Sequence, residues 1–150
     1  MQSEILIRNY NTEDKRALLE LLRLNTPTYF SSEEESDFIT YLDKHILAYF
    51  VVEIESKIIG CGGINVTENQ KTGVISWDII HPNFQGKGIG KQLLKFRLNY
   101  LKTNYPLDEI IVRTSQHTVD FYRKSGFELI EITKDYWAKG FDLYLMKLIF

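Results

Sequence analysis

The chain has 150 residues, 44% of them hydrophobic and 13% aromatic, with a formal net charge of -2 at pH 7. That composition supplies one packed core, and with no block of five or more like charges it leaves no electrostatic footprint for nucleic acid. The longest apolar run, residues 46–52, is far too short to span a bilayer, the first residues lack the basic and apolar regions of a signal peptide, and Cys61 stands alone without a disulfide partner or a metal set of Cys/His spacing.

A single cytoplasmic domain over residues 1–150, holding no metal, is therefore expected. Residues 4–8 alternate apolar and polar as a first strand, and Asn11 or Thr12 then caps a helix whose Ala17, Leu18, Leu21 and Leu22 form one stripe. Asn25, Thr26 and Pro27 end it, because the residue before a proline avoids helical dihedrals. Ser31 and Ser32 each have a glutamate three residues on, a doubled capping-box pattern before a second helix carrying Phe38, Tyr41, Leu42 and Ile46. Between the helices, Tyr29 and Phe30 either plug the core or line a substrate pocket. Residues 47–55 and 57–69 read as a hairpin turning near Ser56, with Cys61 a small buried side chain between Gly60 and Gly62.

Residues 74–94 carry the densest information. Ile75, Trp77, Ile79 and Ile80 suit a buried strand that His81, Pro82 and Asn83 close. Then come Gln85, Gly86, Lys87, Gly88, Ile89 and Gly90, followed by helical spacing over residues 91–102. Ile89, Leu93, Phe96 and Tyr100 form the stripe of that helix, widened by Leu94, Leu98 and Leu101, with Lys91, Gln92, Lys95, Asn99 and Lys102 opposite. Glycines at alternate positions where a helix begins leave backbone N–H groups uncovered at the positive end of the dipole, a geometry that binds phosphate. A dinucleotide fingerprint would require glycine at Lys91 or Leu93, and a P-loop would require glycine at Gln85 and Ser or Thr at Gln92. Both spacings fail.

Beyond the helix, residues 109–113 are a short apolar run, expected to lie parallel to the residue-74 strand through a right-handed crossover. Ser115 is a plausible N-cap for the next helix, and Gly126 a left-handed stop that would set Tyr122 against Phe127 in a Schellman motif. Residues 128–133 and 141–149 read as a closing antiparallel pair. The loop between them, residues 134–140, presents Tyr136 and Trp137 to substrate, to a subunit contact, or back onto the core.

Gln85, Gly88 and Gly90 match the pattern Q/R-x-x-G-x-G/A, and Tyr122, Gly126 and Phe127 match Y-x-x-x-G-F, in the right order and with strand and helix between. On these motifs the chain resembles the GNAT superfamily of N-acetyltransferases, from Ile5 to Ile149. The resemblance implies an α/β (α+β) fold: a mixed, mostly antiparallel sheet of six to seven strands flanked by about four helices, with a V-shaped splay between the two parallel central strands. It implies acetyl-CoA as acetyl donor, its pyrophosphate on backbone N–H groups of residues 86–90 with Gln85 and Lys91 alongside, and its pantetheine arm against Ile79 and Ile80. Ser115 stands where many members have asparagine, and Thr118 where they have alanine, which puts the usual contact to the arm in question. The implied reaction is direct attack by a primary amine in a ternary complex, on a small-molecule acceptor rather than a protein, with Tyr122 as acid for the departing thiolate. The glutamate that some members use as base is missing at Val74 and Ser76. Asp78 replaces it if strand parity holds, with His81, His117 or a water chain as substitutes. Tyr29, Phe30, Tyr136 and Trp137 are the expected acceptor contacts, and a homodimer stays open. The alternatives are a non-catalytic acetyl-CoA sensor on the same fold, or an interaction domain.

Overall fold

The computed structural model describes residues 4–149; residues 1–3 and 150, the ends of the expected domain, lie outside the described residues. Among the described residues seven strands form one sheet in the order β1-β2-β3-β4-β5-β7-β6. In chain order these are β1 (Ile5–Asn9), α1 (Lys15–Leu24), α2 (Glu34–Lys44), β2 (Ala48–Ile54), β3 (Lys57–Val66), β4 (Thr72–Ile80), α3 (Ile89–Asn104), β5 (Glu109–Thr114), α4 (Val119–Lys124), β6 (Glu128–Ala138) and β7 (Phe141–Ile149). The strand and helix numbers agree with the expectation from sequence.

Local chemistry sets the boundaries. Asn11 caps the 3-10 turn Thr12–Asp14 that leads into α1, and Asp14 returns the bond by accepting from Asn11 N–H at 2.9 Å. Of the two serines before α2, Ser31 makes the box: its N–H donates to Glu34 Oε2 at 2.8 Å and its Oγ accepts from Glu33 N–H at 3.2 Å. Phe127 N–H donates to Tyr122 O and Gly126 N–H to Arg123 O, with Gly126 at φ +100°, so the Schellman stop after α4 forms as expected.

The sheet is antiparallel except at β4 and β5, which run parallel because α3 connects them. Their ladder covers only Thr72–Ile75 against Glu109–Val112. Beyond Ile75 the strands part, which opens the splay at the middle of the sheet. Leu18, Leu22, Phe38 and Cys61 pack on the α1/α2 face, while Leu94, Leu101, Ile110, Phe127 and Met146 pack on the α3/α4 face.

Two expectations are corrected. Residues 134–138 belong to β6, so the connection to β7 is only the turn at Lys139 and Gly140. The strand survives an irregularity after Thr133 because side chains complete the ladder: Asp135 N–H donates to Asp142 Oδ1 at 2.9 Å and Gly140 N–H to Asp135 Oδ1 at 2.8 Å. Tyr136 and Trp137 thus project from a strand. The second correction concerns parity. Cys61 pairs with Ile79 and Gly63 with Ser76, so Gly62 alone opposes Trp77 and Asp78 across a β-bulge, with Trp77 at φ +50°. Ser76 and Trp77 both face α1/α2, and Asp78 turns to the α3/α4 face. The parity that made Asp78 the substitute base therefore fails.

Candidate active site

The splay opens into a cleft of about 950 Å³ reached from both faces of the sheet. One end of it is the start of α3. Gly86 and Gly88 adopt φ +75° and +81°, and a Cβ at either would meet nothing within 4 Å. That left-handed pair strongly favours glycine, and the open space above it is a cradle that side chains would fill. Gln92 N–H donates to Gly88 O at 3.0 Å as the first intrahelical bond, so the amides of Ile89, Gly90 and Lys91 have no acceptor within the helix. Gly90 serves a different purpose: its Cβ would stand 3.4 Å from the Phe121 ring, so its smallness lets α4 approach α3. The Ile89 side chain is core, and Lys87 lies 5.4 Å over the Phe84 ring. Donor set, free amides and empty cradle all fit a pyrophosphate.

Gln85 is turned inward. Its Nε2 donates to Asn25 Oδ1 and to Ile80 O, each at 3.0 Å, and buried Asn25 donates from Nδ2 to Leu21 O at 2.8 Å and Ile80 O at 3.1 Å. The Ile80 carbonyl is thus already occupied. Gln85 braces the loop to α1, a role its sequence position did not disclose.

Ser115 lines the cleft but does not cap α4. Its Oγ accepts from His117 N–H at 3.3 Å and its carbonyl from Thr118 N–H at 3.2 Å, so it makes a turn, and Thr118 takes the N-cap position. The helix starts three residues later than the serine suggests, because the bond between Thr118 Oγ1 and Thr114 Oγ1 closes residues 115–118 into a turn ahead of it. His117 packs its ring against Phe141, and His81 Nδ1 accepts from Asn83 N–H at 3.0 Å, capping the turn after β4. Burial lowers the His81 pKa.

At the centre of the cleft three elements meet. Tyr122 of α4 donates its hydroxyl to Asp78 Oδ2, and Arg97 of α3 pairs from Nη1 with Asp78 Oδ1. Tyr122 is 3% exposed and Arg97 is fully buried. Arg97 further donates from Nε to Leu93 O at 3.3 Å and from Nη1 to Gly63 O at 3.1 Å. Burial first, and the Asp78 charge second, push the Tyr122 hydroxyl well above the usual tyrosine range, while Arg97 opposes that shift. The hydroxyl therefore stays protonated across the neutral range. Asp78 is engaged by a cation and a hydroxyl.

No motif singles out Arg97, yet Leu93 and Leu101 flank it at i±4 and Ile89 stands at i−8, all buried, whereas Phe96, expected on the stripe, is 38% exposed. A lone arginine in that row was the available signal.

On the α2 side, Tyr41 Oη donates to Asn65 Oδ1 at 3.0 Å, Ser76 Oγ to the same oxygen at 2.8 Å, and Asn65 Nδ2 to His45 O at 2.9 Å. Burial carries Tyr41 up to about 12. Tyr29 and Phe30 line this half, with Phe30 stacked on Trp77 at 6.1 Å between centroids. Trp137 also lines the cleft, its Nε1 donating to Thr114 O at 3.1 Å. Tyr136 does not: it is 47% exposed and accepts from Arg113 Nη2 at 2.6 Å, outside the cleft wall. Cys61 is buried and burial raises its thiol to about 12, so it is not a nucleophile.

Residues 16–127 match the model of the acetyltransferase (GNAT) family. An N-alpha-acetyltransferase of Sulfurisphaera tokodaii is 29% identical, over 95% of this chain and 92% of its own. Among solved structures, a putative GNAT-family acetyltransferase from Desulfovibrio desulfuricans superposes with TM-score 0.81 at 17% identity, covering 97% of this chain and 99% of that one. An aminoglycoside 6'-N-acetyltransferase complexed with coenzyme A gives 0.77 at 12%, covering 96% of each chain.

Proposed function

Because the chain belongs to the GNAT family of acetyltransferases, we propose that it acts as one catalytic domain moving an acetyl group from acetyl-CoA to the nitrogen of a primary amine. The observation that carries this reading is the alignment of an empty glycine cradle at the start of α3 with a splay between β4 and β5 that ends on the Tyr122 hydroxyl. The amides of residues 86–91 hold the pyrophosphate, and the unpaired edges of β4 and β5 past Ile75 receive the pantetheine arm. The amine nitrogen forms a bond to the thioester carbonyl carbon, the carbon–sulfur bond breaks, and the leaving sulfur requires a proton or a hydrogen-bond donor. Tyr122 is that donor. Its hydroxyl proton rests on Asp78 and rotates toward the sulfur as charge develops there. The base is water, since Asp78 is engaged and His81 and His117 serve as turn and packing residues.

The acceptor expected from sequence is a small molecule. A second reading, the α-amine of a peptide, is favoured by the name of the Sulfurisphaera tokodaii relative, which aligns over 95% of this chain. CoA release from acetyl-CoA, measured across polyamines, amino acids, amino sugars and peptides with free or blocked N-termini, tests both. Turnover with free but not blocked peptides supports the second reading, turnover with small amines alone supports the first, and acetyl-CoA binding without turnover on any amine supports a sensor module instead.

A further inference from the structure

Resting on that reading, we propose that Arg97 is a positioning residue for the transfer: by holding the Asp78 carboxylate ionised and compensated, it sets where the Tyr122 hydroxyl sits and lets it turn toward the sulfur. The geometry is specific. Arg97 extends from the middle of α3, fully buried, and grips the sheet at Gly63 O and the bulge at Asp78. Its Nη2 has no hydrogen-bond partner among the described residues and Arg97 lines the cleft. Room for the pair comes from Gly62, where a Cβ would stand 2.5 Å from Asp78 Oδ1 and 2.7 Å from Arg97 Nη1. The bulge that leaves Gly62 opposite two residues is also what points Asp78 toward α3 and α4.

A buried ion pair is a poor source of stability, because desolvation of both ions offsets their attraction. The pair also borders the cleft rather than the core, so its place points to a use beyond stability. Remove the arginine charge and the carboxylate, 18% exposed at the cleft, keeps only the Tyr122 hydroxyl as its partner, so its charged form is less favoured and, while ionised, holds the tyrosine proton harder. Arg97 from α3 and Tyr122 from α4 contact Asp78 directly, while Cys61 from β3, Tyr49 from β2 and Tyr41 from α2 lie on the other face of the sheet and feel its charge at a distance. Only Arg97 among them carries positive charge, and nothing else there can replace it.

The test is carboxyl-carbon NMR of Asp78, identified by its loss in Asp78→Asn, together with the pH profile of kcat in the wild type, Arg97→Gln and Arg97→Lys. In Arg97→Gln we expect the Asp78 midpoint to move up toward neutrality. A second ionisation should enter the kcat profile at that same midpoint, with kcat on its alkaline side lower by about tenfold, the equivalent of one pKa unit, while the KM for acetyl-CoA stays within about twofold. Arg97→Lys, which keeps the charge, should hold both near their wild-type positions, and it carries the test alone if Arg97→Gln does not fold: a kcat loss without movement of the Asp78 midpoint then overturns the proposal. An unmoved Asp78 midpoint in Arg97→Gln overturns it too, as does a moved midpoint with an unchanged kcat profile. Tyr122→Phe separates the two ideas. If it keeps full turnover, the donor role of Tyr122 fails, whereas the Asp78 midpoint reads the Arg97 coupling independently of turnover.

Discussion

The two ends of the cleft are built by different means. The end at the start of α3, where we propose the acetyl donor binds, is backbone: Gly86 and Gly88 in left-handed conformation with open space above them, and amides that a helix start leaves without acceptors. The other end, where we propose proton transfer, is side chain, and its Asp78, Arg97 and Tyr122 come from β4, α3 and α4. The conformation of a backbone cradle is set within a few consecutive residues. A buried cluster of charges needs the whole sheet, the Gly62 vacancy and the bulge at Trp77 to place it.

If this contrast is right, substitutions at the two ends should damage different kinetic constants. The largest effect is expected for Tyr122→Phe, a fall in kcat of about 100-fold or more, the usual loss for a proton donor, with the KM for acetyl-CoA moved by less than about twofold in steady-state assays. Gly62→Ala should come next. Its Cβ would collide with Asp78 and Arg97 at 2.5 and 2.7 Å, costing about 1–3 kcal/mol of stability by thermal or urea unfolding and lowering kcat through the displaced pair. Gly88→Ala places a Cβ at φ +81° without a clash, so it should cost about 1–2 kcal/mol and raise the KM for acetyl-CoA more than it lowers kcat. A Gly88→Ala enzyme with lowered kcat and unchanged KM would break the contrast.

The smallest effect lies outside the cleft. Arg8 donates to both carboxylate oxygens of Asp14 at 2.8 and 2.9 Å, and that bond, ahead of the Asn11 amide, holds Asp14 below the usual aspartate range. A carboxyl depressed in the folded state contributes stability that is full above its unfolded pKa and lost as pH falls through the folded one. Asp14→Asn should therefore cost about 1–2 kcal/mol at pH 7, a difference that vanishes in acid below the Asp14 pKa, with kcat and KM unchanged. Unfolding curves at several pH values would show it.

Much of the fold could be read from spacing. The Schellman stop at Gly126, the Ser31–Glu34 box and the parallel pairing of β4 with β5 all follow from interactions within a few residues or from the handedness of a crossover. The misreadings share a cause. Residues 134–138 lack strand-like alternation, and they stay in β6 because Asp135 and Asp142 supply ladder bonds from their side chains. Ser115 looks like a cap, but Thr114 and Thr118 bond each other across it. Asp78 follows period-two parity only in an unbroken strand, and the bulge opposite Gly62 reverses it.

By itself the sequence determined the glycine cradle at the start of α3, since a glycine's freedom at positive φ and a helix's unsatisfied amides are local properties. Only the tertiary structure decided the other end. Whether Asp78 is a base or the partner of a buried cation depends on which face of the sheet it takes, and that was set by Gly62, fifteen or more residues away on a neighbouring strand, and by Arg97 reaching across from α3.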